Sequence, residues 1–278
     1  MFKKLIITLA FLLALTSVSV LGADKYKGYE LPVDIDINGN FIKCDQKPFL
    51  ENGVTYIPLR AFAYALSSPV YWDGNTQTAI MVKDNHSLKF CVTDNYCTVD
   101  GVQKPCSVIV RQGLMFVPVR ILSEALGYGV SWDNSYMTVK ITAPDVAVQP
   151  NYVDYSYTYE DILYLAKITM LESGTGSLDM KIAICNTILN RVKSSQFPNT
   201  IKGVIFDTNY GTQFPPAHTD KINKTPSLEC FIAAKCALNG VNLAGNSLYF
   251  ISTKAAPKSW AHKNRTFYKT IGSTNFYL

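Results

Sequence analysis

One part of this chain is written twice. Asn52-Gly53-Val54-Thr55-Tyr56-Ile57-Pro58-Leu59-Arg60 returns as Gln112-Gly113-Leu114-Met115-Phe116-Val117-Pro118-Val119-Arg120. Ala65-Leu66 returns as Ala125-Leu126, and Val70-Tyr71-Trp72-Asp73 as Val130-Ser131-Trp132-Asp133, always at an offset of 60 residues. A fixed period means that one supersecondary unit is built twice, so both copies must fold alike. Each copy reads as strand, helix start, short helix, turn, strand, turn, strand. Pro58 and Pro118 suit the first turn of a helix, where no backbone donor is needed. Asn38-Gly39 and Asp100-Gly101, ahead of the two copies, are hairpin signals. Trp72 and Trp132 alternate with polar neighbours, which places them in the module's small core.

The rest of the 278 residues organises around this repeat. Residues 1–23 read as a secretory signal: Lys3 and Lys4, an apolar run from Leu5 to Val20, then small Gly22 and Ala23. No Cys lies near the cleavage point, and no later segment is long and apolar enough to span a bilayer. Residues 24–150 carry 11 Lys/Arg against 13 Asp/Glu, whereas 151–278 carry 13 against 8. The basic half suits an anionic wall polymer. Nucleic acid is excluded as a partner by the expected export and by the lack of a Lys/Arg cluster. Of the 7 Cys, four (Cys44, Cys91, Cys97, Cys106) lie in the first half, where two disulfides are possible. Three lie in the second, where Cys185 sits among apolar residues as a core side chain. Residues 144–157, with Pro144, Pro150 and Asn151, break the pattern and read as a linker.

The second half, 158–278, reads mainly helical. Thr158 followed by Asp161 forms a capping box, and Ile162, Leu165, Ala166 and Thr169 follow at helical spacing over 159–171. Ser177 caps a second helix running to about Val192. Phe197-Pro198-Asn199-Thr200 turns into a short helix over 201–206, and residues 207–225 form a loop. Thr225-Pro226 opens another helix that ends before Gly240, and 247–252 reads as a strand. Glu172 closes the first of these helices, ahead of Gly174 and Gly176. Helix ends favour Lys, Arg or His, because the last carbonyls carry partial negative charge. A carboxylate there opposes the local field, which raises its pKa as a general acid requires. Met170 and Leu171 flank it and add apolar burial. The competing reading is a helix-end Glu salt-bridged to Arg191.

LAKITMLESG (165–174), Asn190-Arg191 beginning 18 residues after Glu172, FPNTIKGVIF (197–206), YGTQF (210–214), SLYFIS (247–252) and the closing Trp260, Asn264-Arg265, Ile271-Gly272 and Phe276 occur in this order. Together they resemble the SleB-type cell wall hydrolases, the spore cortex-lytic family, from about residue 159 to the end. The resemblance implies action on peptidoglycan glycan strands by lytic transglycosylation, cleaving after N-acetylmuramic acid to leave a 1,6-anhydro ring. It carries the family's key acid onto Glu172. Three positions depart from the family's pattern: Gly176 replaces a second Glu, Met180 replaces a Gly, and Thr274 replaces a His. The repeat over about 33–142 resembles the copper amine oxidase N-terminal-like domain, which implies a non-catalytic wall-associated or spacer module. With three His in the chain (His86, His218, His262), no copper-binding cluster is present.

A glycosidase ordinarily needs two carboxylates. Asp207 is the nearest further candidate, and Asp179 belongs to a solvent-facing helix start. One acid suffices when the substrate brings its own nucleophile, here the C6 hydroxyl of muramic acid, whose intramolecular attack gains from proximity. Tyr210, Gln213 and Phe214 in the Gly-containing loop are candidate substrate contacts, as are Arg191 and the rings of Tyr249 and Trp260, which suit pyranose faces. Asn190 and Arg191 also suit a bracing role, and His218 reads as exposed. The expected fold class is α+β: a repeated small module (30–143) plus a mainly helical, lysozyme-like domain (158–278). The expected protein is a secreted enzyme of a bacterial cell wall or spore envelope. It cleaves peptidoglycan glycan strands with Glu172 as acid/base, with no metal, no cofactor and no membrane partner once the signal is removed. Muramidase-type hydrolysis at the same site and a non-enzymatic cell-wall-binding protein are the alternatives.

Overall fold

The computed structural model describes residues 30–209 and 211–278. The expected signal segment and Tyr210 lie outside them. The opening hairpin joins β1 (Asp34–Ile37) to β2 (Asn40–Phe41) through Asn38 and Gly39, whose φ values of 52° and 86° match the turn that Asn-Gly adopts most readily. The first copy of the repeat follows as β3 (Phe49–Glu51), β4 (Val54–Pro58), α1 (Leu59–Ala65), β5 (Val70–Asp73) and β6 (Thr78–Lys83). Then come β7 (His86–Cys91) and the hairpin of β8 (Tyr96–Val99) with β9 (Val102–Pro105), turning at Asp100-Gly101 as expected. The second copy comprises β10 (Ile109–Arg111), β11 (Leu114–Pro118), α2 (Val119–Ala125), β12 (Gly129–Asp133) and β13 (Thr138–Thr142).

The copies meet where β4 and β11 pair antiparallel, Ile57 opposite Val117, within a sheet ordered β10-β11-β4-β3. Strands β5 to β9 form a second sheet in chain order, and β12-β13-β1-β2 a third, in which β1 runs parallel to β13. Ile35, Ile57, Phe62, Met81, Phe90, Val117 and Leu122 fill the core between them. Two expectations need correction. Pro58 and Pro118 stand one residue before the first helical turn, closing the strand and capping the helix, because φ near −60° with extended ψ lets the chain leave one element and enter the next. Trp72 is 52% exposed and plugs no core: it lies on β5, the edge strand of its sheet. All seven Cys are free thiols. The hydrogen bond between the Cys97 and Cys106 thiols lowers the pKa of Cys97 and raises that of Cys106.

The second half is a helical bundle with a small sheet. Thr158 begins α3 (Tyr159–Ser173) with both bonds of the capping box, Thr158 N to Asp161 Oδ2 at 2.9 Å and Asp161 N to Thr158 Oγ1 at 3.2 Å. Then follow α4 (Leu178–Lys193), α5 (Ile201–Ile205) and α6 (Leu228–Leu238), with Ile162, Leu165, Ile184, Ile188, Val204 and Ile232 buried between them. Strand β14 (Tyr249–Ser252), α7 (Trp260–Asn264), β15 (Phe267–Ile271) and β16 (Thr274–Tyr277) complete the chain, the three strands pairing in the order β14-β16-β15. The molecule is α+β, a sheet-rich module followed by a helical domain. Among the described residues no helix is long and apolar enough to cross a membrane.

The two halves share a polar seam. Lys235 of α6 is fully buried; its Nζ lies 2.9 Å from Asp34 Oδ2 and donates to the carbonyls of Tyr136 (2.6 Å) and Met137 (2.9 Å). Tyr157 Oη donates to Asp34 Oδ1 at 2.9 Å, and Tyr159 Oη to Asp36 Oδ2 at 2.5 Å. The segment between the halves lies on the module: Asp154 N donates to Phe41 O and Lys43 N to Tyr152 O. Burial lowers the pKa of Lys235, and the Asp34 carboxylate opposes that shift.

Candidate active site

Glu172 stands at the next-to-last position of α3, which Gly174 ends with a φ of 53° that favours glycine. Its Oε1 is buried and unpartnered. Burial raises its pKa above the ordinary carboxylate range. Among the described residues it forms no ion pair with Arg191, so the helix-end salt bridge is absent. The guanidinium of Arg191 is turned elsewhere: Nε donates to Leu248 O at 2.7 Å, and Cζ lies 4.8, 5.3 and 5.6 Å from the ring centres of Phe197, Phe214 and Tyr249. Burial brings the pKa of Arg191 down to about 10, against the pull of Tyr249 and Asp207, so it stays charged at neutral pH.

Around this guanidinium the sequence candidates sort into layers. Arg191 and Phe214 are buried, at 5% and 2% exposure. They present no open face. Tyr249 is half-buried, and its ring meets Trp260 edge-on at 5.8 Å. Trp260 is 56% exposed. Arg265, not singled out from the sequence, holds the pair: its Cζ lies 4.9 Å from the Tyr249 ring and 4.6 Å from the Trp260 ring, and its Nη2 donates to Tyr249 Oη at 3.1 Å. The signal for it was its place in the closing Asn264-Arg265 pair. Gln213 is half-buried, with Nε2 bonded to Gly211 O at 3.1 Å. Asn190 braces the approach to β14 through Gly245 O (2.8 Å) and Ser247 O (3.0 Å). Asp207 is buried, and its Oδ1 accepts from Asn209 N at 3.0 Å, closing its own turn. His218 is exposed, with its ring 5.6 Å from that of Phe206. Among the described residues no three His, Cys, Asp or Glu side chains gather as metal ligands.

The three positions that depart from the family's pattern are neighbours in space. A Cβ at Gly176 would lie 1.8 Å from Met180 Cε, and Thr274 Oγ1 donates to Met180 Sδ at 3.3 Å. A Cβ at Gly272 would lie 3.5 Å from the same sulfur. One thioether therefore occupies the space beside the α3–α4 turn, where two polar side chains and a glycine are expected from the resemblance. The three positions share one packing site around Met180. Lys181 Nζ ties the turn down by donating to Gly176 O and pairing with Glu229 Oε1 at 2.8 Å.

Residues 36–141 match the profile of the copper amine oxidase N-terminal domain, and residues 176–277 that of the Cell Wall Hydrolase family. The second match begins four residues after Glu172. The spore cortex-lytic enzyme of Bacillus cereus is 33% identical over 108 residues, 39% of this chain and 40% of that protein. The spore cortex-lytic enzyme of Oceanobacillus iheyensis is 30% identical over 108 residues, 39% of this chain and 38% of that protein. The chain thus spans about two fifths of the length of these curated relatives. Among solved structures, the catalytic domain of the germination-specific lytic transglycosylase SleB from Bacillus anthracis is 32% identical, with a TM-score of 0.41, over 45% of this chain and 100% of that one. The first half of the chain is thus similar to the copper amine oxidase N-terminal domain, and the second half to the Cell Wall Hydrolase family and the spore cortex-lytic enzymes.

Proposed function

We propose that this protein cleaves the glycan strands of peptidoglycan by lytic transglycosylation, with Glu172 as its acid and base. The observation that carries the reading is the buried, unpartnered carboxyl oxygen at the end of α3. A carboxyl whose pKa burial raises can give its proton to the glycosidic oxygen as the bond to C1 breaks. The resulting carboxylate then takes the proton of the muramic C6 hydroxyl as that oxygen closes on C1. Glu172 ends protonated, and no water enters the products. The cation-like transition state needs no second carboxylate when the nucleophile lies in the same sugar. The exposed Trp260 offers its ring to the sugars, and Arg265 holds that ring against Tyr249.

In this reading residues 1–23 direct export to the wall or spore envelope, 30–143 form the wall-facing module, 144–157 connect it, and 158–278 cut. The relatives named as spore cortex-lytic enzymes support this choice of polymer. Replacing Glu172 with Gln keeps the shape and removes the proton. Release of anhydro-muropeptides from purified sacculi should fall by about 10²–10⁴-fold, the usual weight of a general acid–base group. Undiminished release would reject Glu172 as the acid. Reducing-end products from the parent chain, one water heavier by mass spectrometry, would mean muramidase-type hydrolysis. Sacculus binding without release by either chain would mean a wall-binding protein.

A further inference from the structure

The two copies of the repeat build one kind of surface and meet different neighbours. In the second copy it is covered. Trp132 packs against the cores of both halves, and the Tyr136 ring meets those of Tyr159 at 4.8 Å and Phe231 at 5.1 Å. Lys235 closes the contact through Met137 O. Sixty residues earlier, Trp72, Thr76 and Gln77 take the matching places, and Gln77 even shares the positive φ of Met137 (49° and 48°). Here, among the described residues, none covers the face. The β5–β6 hairpin, the start of α1 and the β10–β11 hairpin bound a groove of ≈ 430 Å³. Tyr71 and Trp72 are 58% and 52% exposed along it, and Val110 is 50% exposed. Arg60 is the one charged side chain of its lining, which contains no carboxylate.

We propose that this groove binds a peptidoglycan glycan strand at a distance from the cleaving site, an assignment that rests on the substrate class proposed above. The helical domain of the same chain cannot cover it, because its complementary face already sits on the second copy. An N-acetylated pyranose presents a flat C–H face that stacks on an indole or phenol ring. Its acetamide methyl suits the apolar wall made by Val110 and Leu114, and the Gln77 amide can bond the hydroxyls between. The guanidinium of Arg60, without an acid in the groove, complements the carboxylates of stem peptides. Open aromatic patches of this kind mark binding surfaces on soluble proteins. A second grip on one polymer raises the local concentration of the cutting domain on that polymer, and leaves its turnover of short fragments alone.

The test uses the full chain carrying Tyr71→Ala and Trp72→Ala, both outside the cores. Affinity is read by cosedimentation with purified sacculi, in the Glu172→Gln background so that the polymer stays whole. Loss of two ring contacts should weaken sacculus binding by about tenfold or more. With Glu172 intact, the double variant should lose release from dilute sacculi and keep its rate on short soluble muroglycan fragments. Sacculus affinity equal to that of the parent overturns the proposal. So does a parent dimer, by analytical ultracentrifugation, that the variant converts to monomer, since the groove would then join two copies of the chain. The binding comparison stands whether or not Glu172 proves to be the acid, so the two readings fail separately.

Discussion

Two charge-bearing groups in this molecule, the buried Lys235 and the half-buried Glu172, are treated in opposite ways. At the seam, Lys235 meets a carboxylate and two carbonyls, and Asp34 also takes a phenol hydroxyl. At the end of α3, Glu172 has a buried oxygen with no partner. A buried charge that faces an opposite charge holds two surfaces in register, and it tolerates no loss of that partner. A carboxyl withdrawn from water with no cation beside it has its pKa raised and is fitted to transfer a proton. The difference is between a fastening and a reagent, and it lies in the partners each group meets.

The hardest blow to this contrast falls on the seam. Lys235→Ala strands Asp34 with the Tyr157 hydroxyl alone and should cost about 3–5 kcal/mol by chemical denaturation, the range for breaking a buried pair from one side. Replacing both partners, Asp34→Leu with Lys235→Met, should regain most of it. A double variant as unstable as the single one would show that the seam is more than a charge pair. The packing beside Glu172 gives a middle-sized test. Gly176→Ala pushes a methyl against the movable end of Met180 and should cost up to about 1 kcal/mol. Much of that cost should vanish in the Met180→Ala background, because contacting sites are not additive. Equal cost in both backgrounds would separate the two positions.

The smallest effect sharpens the other side of the comparison. Burial raises the folded-state pKa of Glu172, so the native protein keeps a proton that the unfolded chain releases at about pH 4.3. Stability therefore falls as pH rises from that value through the folded pKa. Glu172→Gln cannot ionise. It should match the parent in melting temperature below this window and exceed it above, and a pH-independent difference would count against a buried titrating acid.

How much of this was legible in the sequence follows from the range of the forces involved. The hairpins at Asn38-Gly39 and Asp100-Gly101, the capping box at Thr158 and the position of Glu172 in the last turn of α3 depend on neighbours a few residues away. Local pattern reveals those. Trp72 and Trp132 look alike in the chain and differ in exposure, because only the second copy is met by the helical domain. Lys235 reads as one of many lysines until Asp34, 201 positions earlier, is brought beside it. Phe214 and Arg191 carry the right chemistry for a sugar site, yet both are buried, and depth within a cluster has no local signature. The common cause of Gly176, Met180 and Thr274 likewise appears only when α4 meets the β15–β16 turn.

The account stands on Glu172 holding its proton because it is buried and unpaired. Carboxyl-selective NMR titration of the full chain, with the Glu172 resonance assigned by its loss in Glu172→Gln, measures this directly. The account predicts a midpoint clearly above that of the exposed glutamates of the same chain. A midpoint at or below theirs would contradict it.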